Sequence, residues 1–179
     1  NVGADGGGAR LRGAELERLG DSLLGNGKYF QAYVQYQKSL ALKPDNPRVG
    51  YKMGLALLLG DKNDDAIEQF SAVLKLDPKF SQAYEGVGWA YFNKQDYGRA
   101  EPNLRKALEH NHRLWRSYNL LGNIYDYRKQ YDRAALEYAS AIAVAPDKAF
   151  LYNNMGVSFT LAGRYQEATD AFTRAIERR

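Results

Sequence analysis

The chain has 179 residues, 25 Lys and Arg against 21 Asp and Glu for a net charge of +4, 45% apolar residues, 17 Gly, 14 Tyr and no Cys. That apolar fraction supports a buried core and excludes a disordered chain, while the missing Cys exclude thiolate nucleophiles, Cys zinc sites, iron–sulfur ligation and a disulfide scaffold. No apolar run reaches the roughly 18–20 residues that cross a bilayer, Asn1–Arg12 lacks the apolar stretch of a signal peptide, and a pI near 9.1 is too mild to signal nucleic acid.

Taken in chain order, Asn1–Gly13 comes first, with five Gly and no helical stripe, and reads as a flexible Gly-rich leader over 1–12. Beyond it Leu16, Leu19, Gly20 and Leu23 form the i, i+3, i+4, i+7 stripe of an amphipathic helix. The stripe returns at a fixed spacing of 34, through Gly20, Gly54, Gly88, Gly122 and Gly156. A short polar segment such as Gly25-Asn26-Gly27-Lys28 follows each, then a second stripe built on Ala32, Ala66, Ala100, Ala134 and Ala168, with Tyr36, Phe70, Leu104, Tyr138 or Phe172 four residues on. Pro44, Pro78 and Pro146 close three of the units, so each unit is a helical hairpin ended by a breaker. Gly in the first helix and Ala in the second predict close approach of the two axes.

Aromatic-x2-apolar-Gly-x2-Tyr, then Ala-x3-aromatic, then Pro resembles the tetratricopeptide pattern, and the likeness covers Gly13–Arg179. It implies an all-α fold: an α-solenoid, a right-handed superhelix of five stacked tetratricopeptide helical hairpins with ten helices. The domain is 13–179, in repeats 13–46, 47–80, 81–114, 115–148 and 149–179, with the first helices lining a concave face. Three positions depart from the pattern: His112 stands where Pro is usual, Gly50 replaces the leading aromatic, and Pro102 falls inside a second helix, where it predicts a slight kink.

Catalytic constellations fail at the level of residue types. The two histidines, His110 and His112, sit in one breaker without a third ligand placed by sequence. Gly3-Ala4-Asp5-Gly6-Gly7-Gly8 follows no strand, and no phosphate-binding Gly-Lys-Ser/Thr loop exists. Asp64 and Asp65 open a helix, with Asn63 expected as its cap. The expectation is a non-enzyme with no catalytic, cofactor or metal residues.

Binding remains. The first-helix positions beside the packing stripe offer Tyr51, Leu55, Trp89, Phe92 and Tyr127 with Arg116, and the amides Asn119, Asn123, Asn153 and Asn154. Aromatic anchors in a concavity are typical interface hot spots, and Asn can pair with both N–H and C=O of a bound segment. Arg18, Arg48, Lys52 and Arg116 offset Glu17, Asp21, Glu85 and Asp126, so the groove is expected to be neutral and not to bind nucleic acid. The surplus positive charge gathers around Arg105, Lys106, Arg113 and Arg116 and at Arg174–Arg179. In the tetratricopeptide subfamily that clamps the C-terminal carboxylate of heat-shock chaperones, Lys, Asn and Arg hold the ligand. The matching places here are Glu17, Asp21, Lys52, Gln82 and Gly86, which disfavours that role. The last helix leaves Phe172, Ala175 and Ile176 as an expected self-contact edge, and hence an expected homo-oligomer.

Leu114-Trp115-Arg116-Ser117-Tyr118-Asn119-Leu120-Leu121-Gly122 and the segment from Tyr152 to Tyr165 are similar to the tetratricopeptide lipoproteins of bacterial tight-adherence (Flp/Tad) pilus assembly. That resemblance implies a scaffold tethered in the periplasm at the outer membrane through a lipidated Cys ahead of the leader, without direct membrane insertion of this chain. Its partners would be components of the pilus secretion machine. The second expectation is a cytoplasmic adaptor that self-associates through its last helix.

Overall fold

The computed structural model describes residues 2–178; Asn1 and Arg179 lie outside them. Ten helices and no strand occur among the described residues: α1 (Val2–Gly25), α2 (Tyr29–Leu42), α3 (Pro47–Leu59), α4 (Asn63–Leu76), α5 (Ser81–Asn93), α6 (Tyr97–His110), α7 (Trp115–Tyr127), α8 (Tyr131–Val144), α9 (Ala149–Leu161) and α10 (Tyr165–Glu177). None of them is long and apolar enough to cross a membrane. Each first helix packs on its own second helix, and each second helix on the next first helix, which makes an α-solenoid. Among the first helices α3 also meets α5 and α5 meets α7, while no two successive second helices come into comparable contact. The first helices therefore line the inner, concave side.

The period-34 glycines sit where the two axes of a hairpin are closest. A Cβ placed on Gly20, Gly54, Gly122 or Gly156 would lie 2.5–2.7 Å from the ring of Tyr36, Phe70, Tyr138 or Phe172, and one on Gly88 would lie 2.7 Å from Leu104. The matching alanines Ala32, Ala66, Ala100 and Ala134 are wholly buried. Phe70 is enclosed from two sides, since a Cβ on Gly86 of the following repeat would also lie 2.5 Å from its ring.

Every hairpin turn closes the same way. Gly27, Asp61, Gln95, Lys129 and Gly163 occupy the left-handed region with φ between 60° and 77°. The next residue returns its N–H to a carbonyl five back, at 2.8–2.9 Å, as in Lys28 to Leu23 and Gln130 to Tyr125. This is a Schellman closure, and glycine fills the left-handed position in the first and last turns because it lacks the Cβ penalty. The breakers work by geometry too. Lys43, Asp77 and Ala145, each before Pro, leave the helical region, and Asn111 adopts the same backbone before His112, its Oδ1 accepting from the Arg113 N–H at 2.9 Å. An Asx turn thus replaces the missing proline.

Three expectations change. Residues 2–12 continue α1 instead of forming a leader without helix. A Cβ on Gly6, Gly7 or Gly8 would meet nothing within 4 Å. Propagation from Leu16–Leu24 adds one backbone hydrogen bond per residue fixed, against a cost of about 1 kcal/mol relative to Ala at each Gly of the stretch. Asn63 begins α4 and does not cap it; its Nδ2 donates to Asp61 Oδ1 at 3.2 Å, while Asp64 and Asp65 lie in the first turn as expected. Of the expected self-contact edge, Ala175 is 8% exposed and Phe172 is half-buried over Gly156, because both face α9 of the same hairpin. Ile176 alone stands out, 68% exposed.

Candidate protein-binding groove

Most charged groups of the concave face meet a partner in the next repeat. Arg48 donates from Nε and Nη2 to the two carboxylate oxygens of Glu17 at 2.9 and 2.7 Å, and Lys52 Nζ bridges Glu17 at 2.8 Å and Asp21 at 2.9 Å. The bidentate Arg48 contact drives the Glu17 pKa down to about 2 against the opposing effect of burial. In the middle of the groove Glu85, only 6% exposed, accepts from the Ser117 hydroxyl at 2.6 Å and lies 3.9 Å from Arg116. Burial raises its pKa, and the same burial, with the Glu85 charge, pushes Tyr51 up to about 12. Farther along, Ser158 donates to Asp126, which also accepts from Tyr138 at 2.8 Å; burial raises the Asp126 pKa. Of the charges summed to a neutral groove, Glu17, Asp21, Arg48 and Lys52 form one linked network and Glu85 faces Arg116, while Asp126 is met by hydroxyls alone.

These pairings reach through the helix layer. The Tyr36 hydroxyl, rising from the second helix past Gly20, donates to Asp21 at 2.6 Å, and the Tyr138 hydroxyl, passing Gly122 to reach Asp126, lies 2.6 Å from the Asn123 side chain. The glycines of α1 and α7 are the gaps that let these two rings cross to the concave side. Asn119 is oriented by its neighbour: its oxygen accepts from Asn154 Nδ2 at 3.0 Å, which leaves its own N–H groups to donate. Asn123 stands one turn further along α7, and Asn153 is exposed on α9.

The aromatic members divide. Tyr51 packs 5.9 Å from Phe70 and 5.3 Å from Phe80, and Leu55 joins the same apolar cluster as Phe70 and Val87. Trp89 packs against the clusters on either side of it and carries the Arg116 guanidinium 4.7 Å from its ring centre. Phe92, Tyr97 and Tyr127 form a ladder with centres 5.6 and 4.5 Å apart, ending in Tyr127 at 69% exposure. Tyr51, Leu55 and Trp89 therefore serve the repeat interfaces as well as the groove wall, and the Tyr97 contribution comes from the start of a second helix, outside the positions that the stripe singles out.

Within the basic cluster, Arg105 is also paired. Arg105 Nη2 donates to Glu137 at 2.6 Å and to the Tyr125 hydroxyl at 2.7 Å; Tyr125 donates to Glu101 at 2.9 Å, and Arg128 pairs with Glu101. Lys106 instead lies 5.6 Å from the Tyr84 ring centre, against which His110 stacks at 5.5 Å.

Comparison with known proteins follows this architecture. The chain is 23% identical over 82% of its length to anaphase-promoting complex subunit 3 of Schizosaccharomyces pombe, covering 22% of that protein. It is 22% identical over 89% of its length to the peroxisomal targeting signal receptor of Saccharomyces cerevisiae, covering 33% of it. The chain thus spans a third or less of these relatives. A crystal structure of MamA superposes with a TM-score of 0.75 at 28% identity, over 89% of this chain and 93% of that one. A family profile described as tetratricopeptide repeat matches residues 51–118 and 119–179, and a second, TPR repeat, matches 20–60. With the helical hairpins, the period and the profile agreeing over most of its length, the chain belongs to the tetratricopeptide repeat family.

Proposed function

We propose that the concave face binds a segment of another protein along the strip from Tyr51 and Leu55 through Trp89 and Phe92 to Asn119, Asn123, Tyr127, Asn153 and Asn154. Tetratricopeptide repeats are a protein–protein interaction fold, and one relative is by name a receptor for a targeting signal. The observation that carries the reading is the row of half-exposed amides on α7, where the Asn119 oxygen is engaged by Asn154 so that its N–H groups meet a backbone carbonyl of a guest, with Asn123 one turn on. Partly exposed aromatic rings beside them supply apolar area at little entropic cost. Trp89→Ala combined with Asn123→Ala is expected to weaken binding of the native partner by about 2 kcal/mol or more, near thirtyfold, in a calorimetric titration; unchanged affinity sinks the reading. The finer assignment, a scaffold in bacterial pilus or secretion assembly held at the outer membrane, rests on the resemblance of the fourth and fifth repeats.

One observation favours self-association as a second reading. Ile176 occupies the place in the last repeat where Ile142 packs into the core of the fourth, yet it is exposed. Light scattering is expected to show a concentration-dependent dimer that Ile176→Asp abolishes. A monomer at every concentration overturns that reading.

A further inference from the structure

On the outer face, the later repeats seat aromatic rings of a first helix between two successive second helices. The Tyr125 ring lies between α6 and α8: its hydroxyl donates to Glu101 of α6 at 2.9 Å, and the Arg133 guanidinium of α8 stacks 4.2 Å from its centre. One period earlier, Tyr91 has Arg99 of α6 5.8 Å from its centre. Near the start of the first helices, Tyr84 and Tyr152 donate to the carbonyls of Pro78 and Pro146 at 3.0 and 2.9 Å. Lys106 and His110 lie against the first of these rings, Arg174 and Arg178 against the second. The second repeat lacks both rings. One period before Tyr84 and Tyr91 stand Gly50 and Leu57. There the groove between α2 and α4 opens into two adjoining cavities, of about 440 Å³ beside Gly50 and Pro44 and about 500 Å³ beside Leu57, with Gln69 and Ala72 in the walls of both.

The cations have gone with the rings. Ala72 and Leu76 hold the places of Lys106 and His110, and Asp65 holds that of Arg99 and Arg133. Asp65, Glu68 and Lys62, all exposed at the larger cavity, form no ion pair among the described residues, and two carboxylates against one ammonium leave this mouth negative. Its opposite wall is aromatic, Phe30 stacking on Tyr33 with centres 6.3 Å apart and standing 76% exposed. A ring entering from outside meets apolar walls of the kind that hold Tyr91 and Tyr125, but a carboxylate where those rings meet a cation. The guest therefore has to bring the positive charge as well as the ring. Gly50 and Leu57 are two helical turns apart, which sets the two ring places about 10 Å from each other.

We infer that the α2–α4 groove is a second protein-binding surface, which takes a partner segment carrying two aromatic side chains about 10 Å apart, with Arg or Lys beside the ring at Leu57. It lies on the outer face, away from the concave strip, and does not rest on the reading of that strip.

The test follows the fluorescence anisotropy of a labelled Ala-based helical peptide, with two Tyr placed two turns apart and Arg beside each, as the full chain is added. This peptide is expected to bind about tenfold tighter than a counterpart with Leu for both Tyr, and severalfold tighter than one with Glu for Arg. Asp65→Arg, a change at an exposed position, should reverse the preference for Arg over Glu. Leu57→Tyr combined with Asp65→Arg rebuilds in the second repeat the pairing of Tyr125 with Arg133. This filled variant should bind the Tyr peptide at least about tenfold more weakly. Its melting midpoint should stay at or above that of the parent, so that the loss reports a filled groove and not an unfolded chain. Equal binding of the Tyr and Leu peptides, binding of neither, or a lower midpoint in the filled variant overturns the proposal. Loss of binding in the Trp89→Ala, Asn123→Ala variant places the peptide in the concave groove and overturns it as well. So does light scattering that shows a dimer of the parent and a monomer of the filled variant, since a second copy of the chain then covers the groove.

Discussion

Gly86→Val is expected to destabilise the fold by about 2–3 kcal/mol, since overpacking a well-filled site costs more than the small gain in helix propensity returns. For a chain of this size that is a fall in melting temperature of roughly 5–10 °C. The first methyl position alone would lie 2.5 Å from two ring atoms of Phe70 and 2.9 Å from a third. The ring has nowhere to retreat, because its opposite edge stands 2.6 Å from the Cβ position of Gly54. Phe70 is wholly buried, so a shift transmits to both neighbouring repeats. Pairing the change with Phe70→Leu tests the cause. The double variant should be less destabilised than the sum of the two single ones, as contacts sharing one cavity are not additive. Thermal denaturation followed by circular dichroism checks both; an unchanged or raised midpoint for Gly86→Val refutes the close-approach account.

The second expected result concerns acid. Glu17 is ordinarily half-protonated near 4.5 and is held at about 2 in the folded chain, chiefly by Arg48. A carboxyl with a depressed folded pKa adds stability that is fully present above its unfolded value and is lost as pH falls towards the folded one. The loss therefore runs from about pH 5 down to pH 2. The full drop would be worth about 3 kcal/mol, but Arg48 has 63% of its side chain exposed, and screening by water reduces the figure to about 1–2 kcal/mol. Glu85 and Asp126 act in the other direction: burial raises their pKa values, so protonation relieves them as pH falls. Comparison of the parent with Glu17→Gln separates the two. Urea titrations at pH 7 and pH 3 should show the variant weaker at neutral pH and the gap between the chains closing in acid. A gap that stays constant with pH refutes the assignment.

The hairpins were legible because a helix pair that must approach closely needs Gly on one side and Ala on the other, and both recur visibly at 34. The reason for the glycine was legible only in part. Close approach reads from the pattern, but the crossing of Tyr36 and Tyr138 to reach Asp21 and Asn123 depends on where a ring points once two helices are packed. Net charge along the groove was legible as a sum, while its partners were not: Glu17–Arg48, Glu85–Ser117 and Asp126–Ser158 join residues 31 or 32 apart, a spacing set by the stacking of neighbouring repeats. A carboxylate with a cation or a serine hydroxyl just short of one period further on is the signal that was available. Residues 2–12 were misjudged since composition reports packing, and an unpacked helical turn leaves no mark in it.

The recurring Schellman turns bear on how the chain reaches its fold. Each closes its hairpin with a hydrogen bond spanning five residues, and the ties between repeats span no more than 30–35. No part of the structure waits for the two ends of the chain to meet. Such a low contact order favours rapid folding that can begin in any hairpin and spread to its neighbours. Phe70, enclosed by glycines from two repeats, makes the second and third hairpins a natural nucleus. Hydrogen exchange should then be slowest around it and quicken towards both terminal helices.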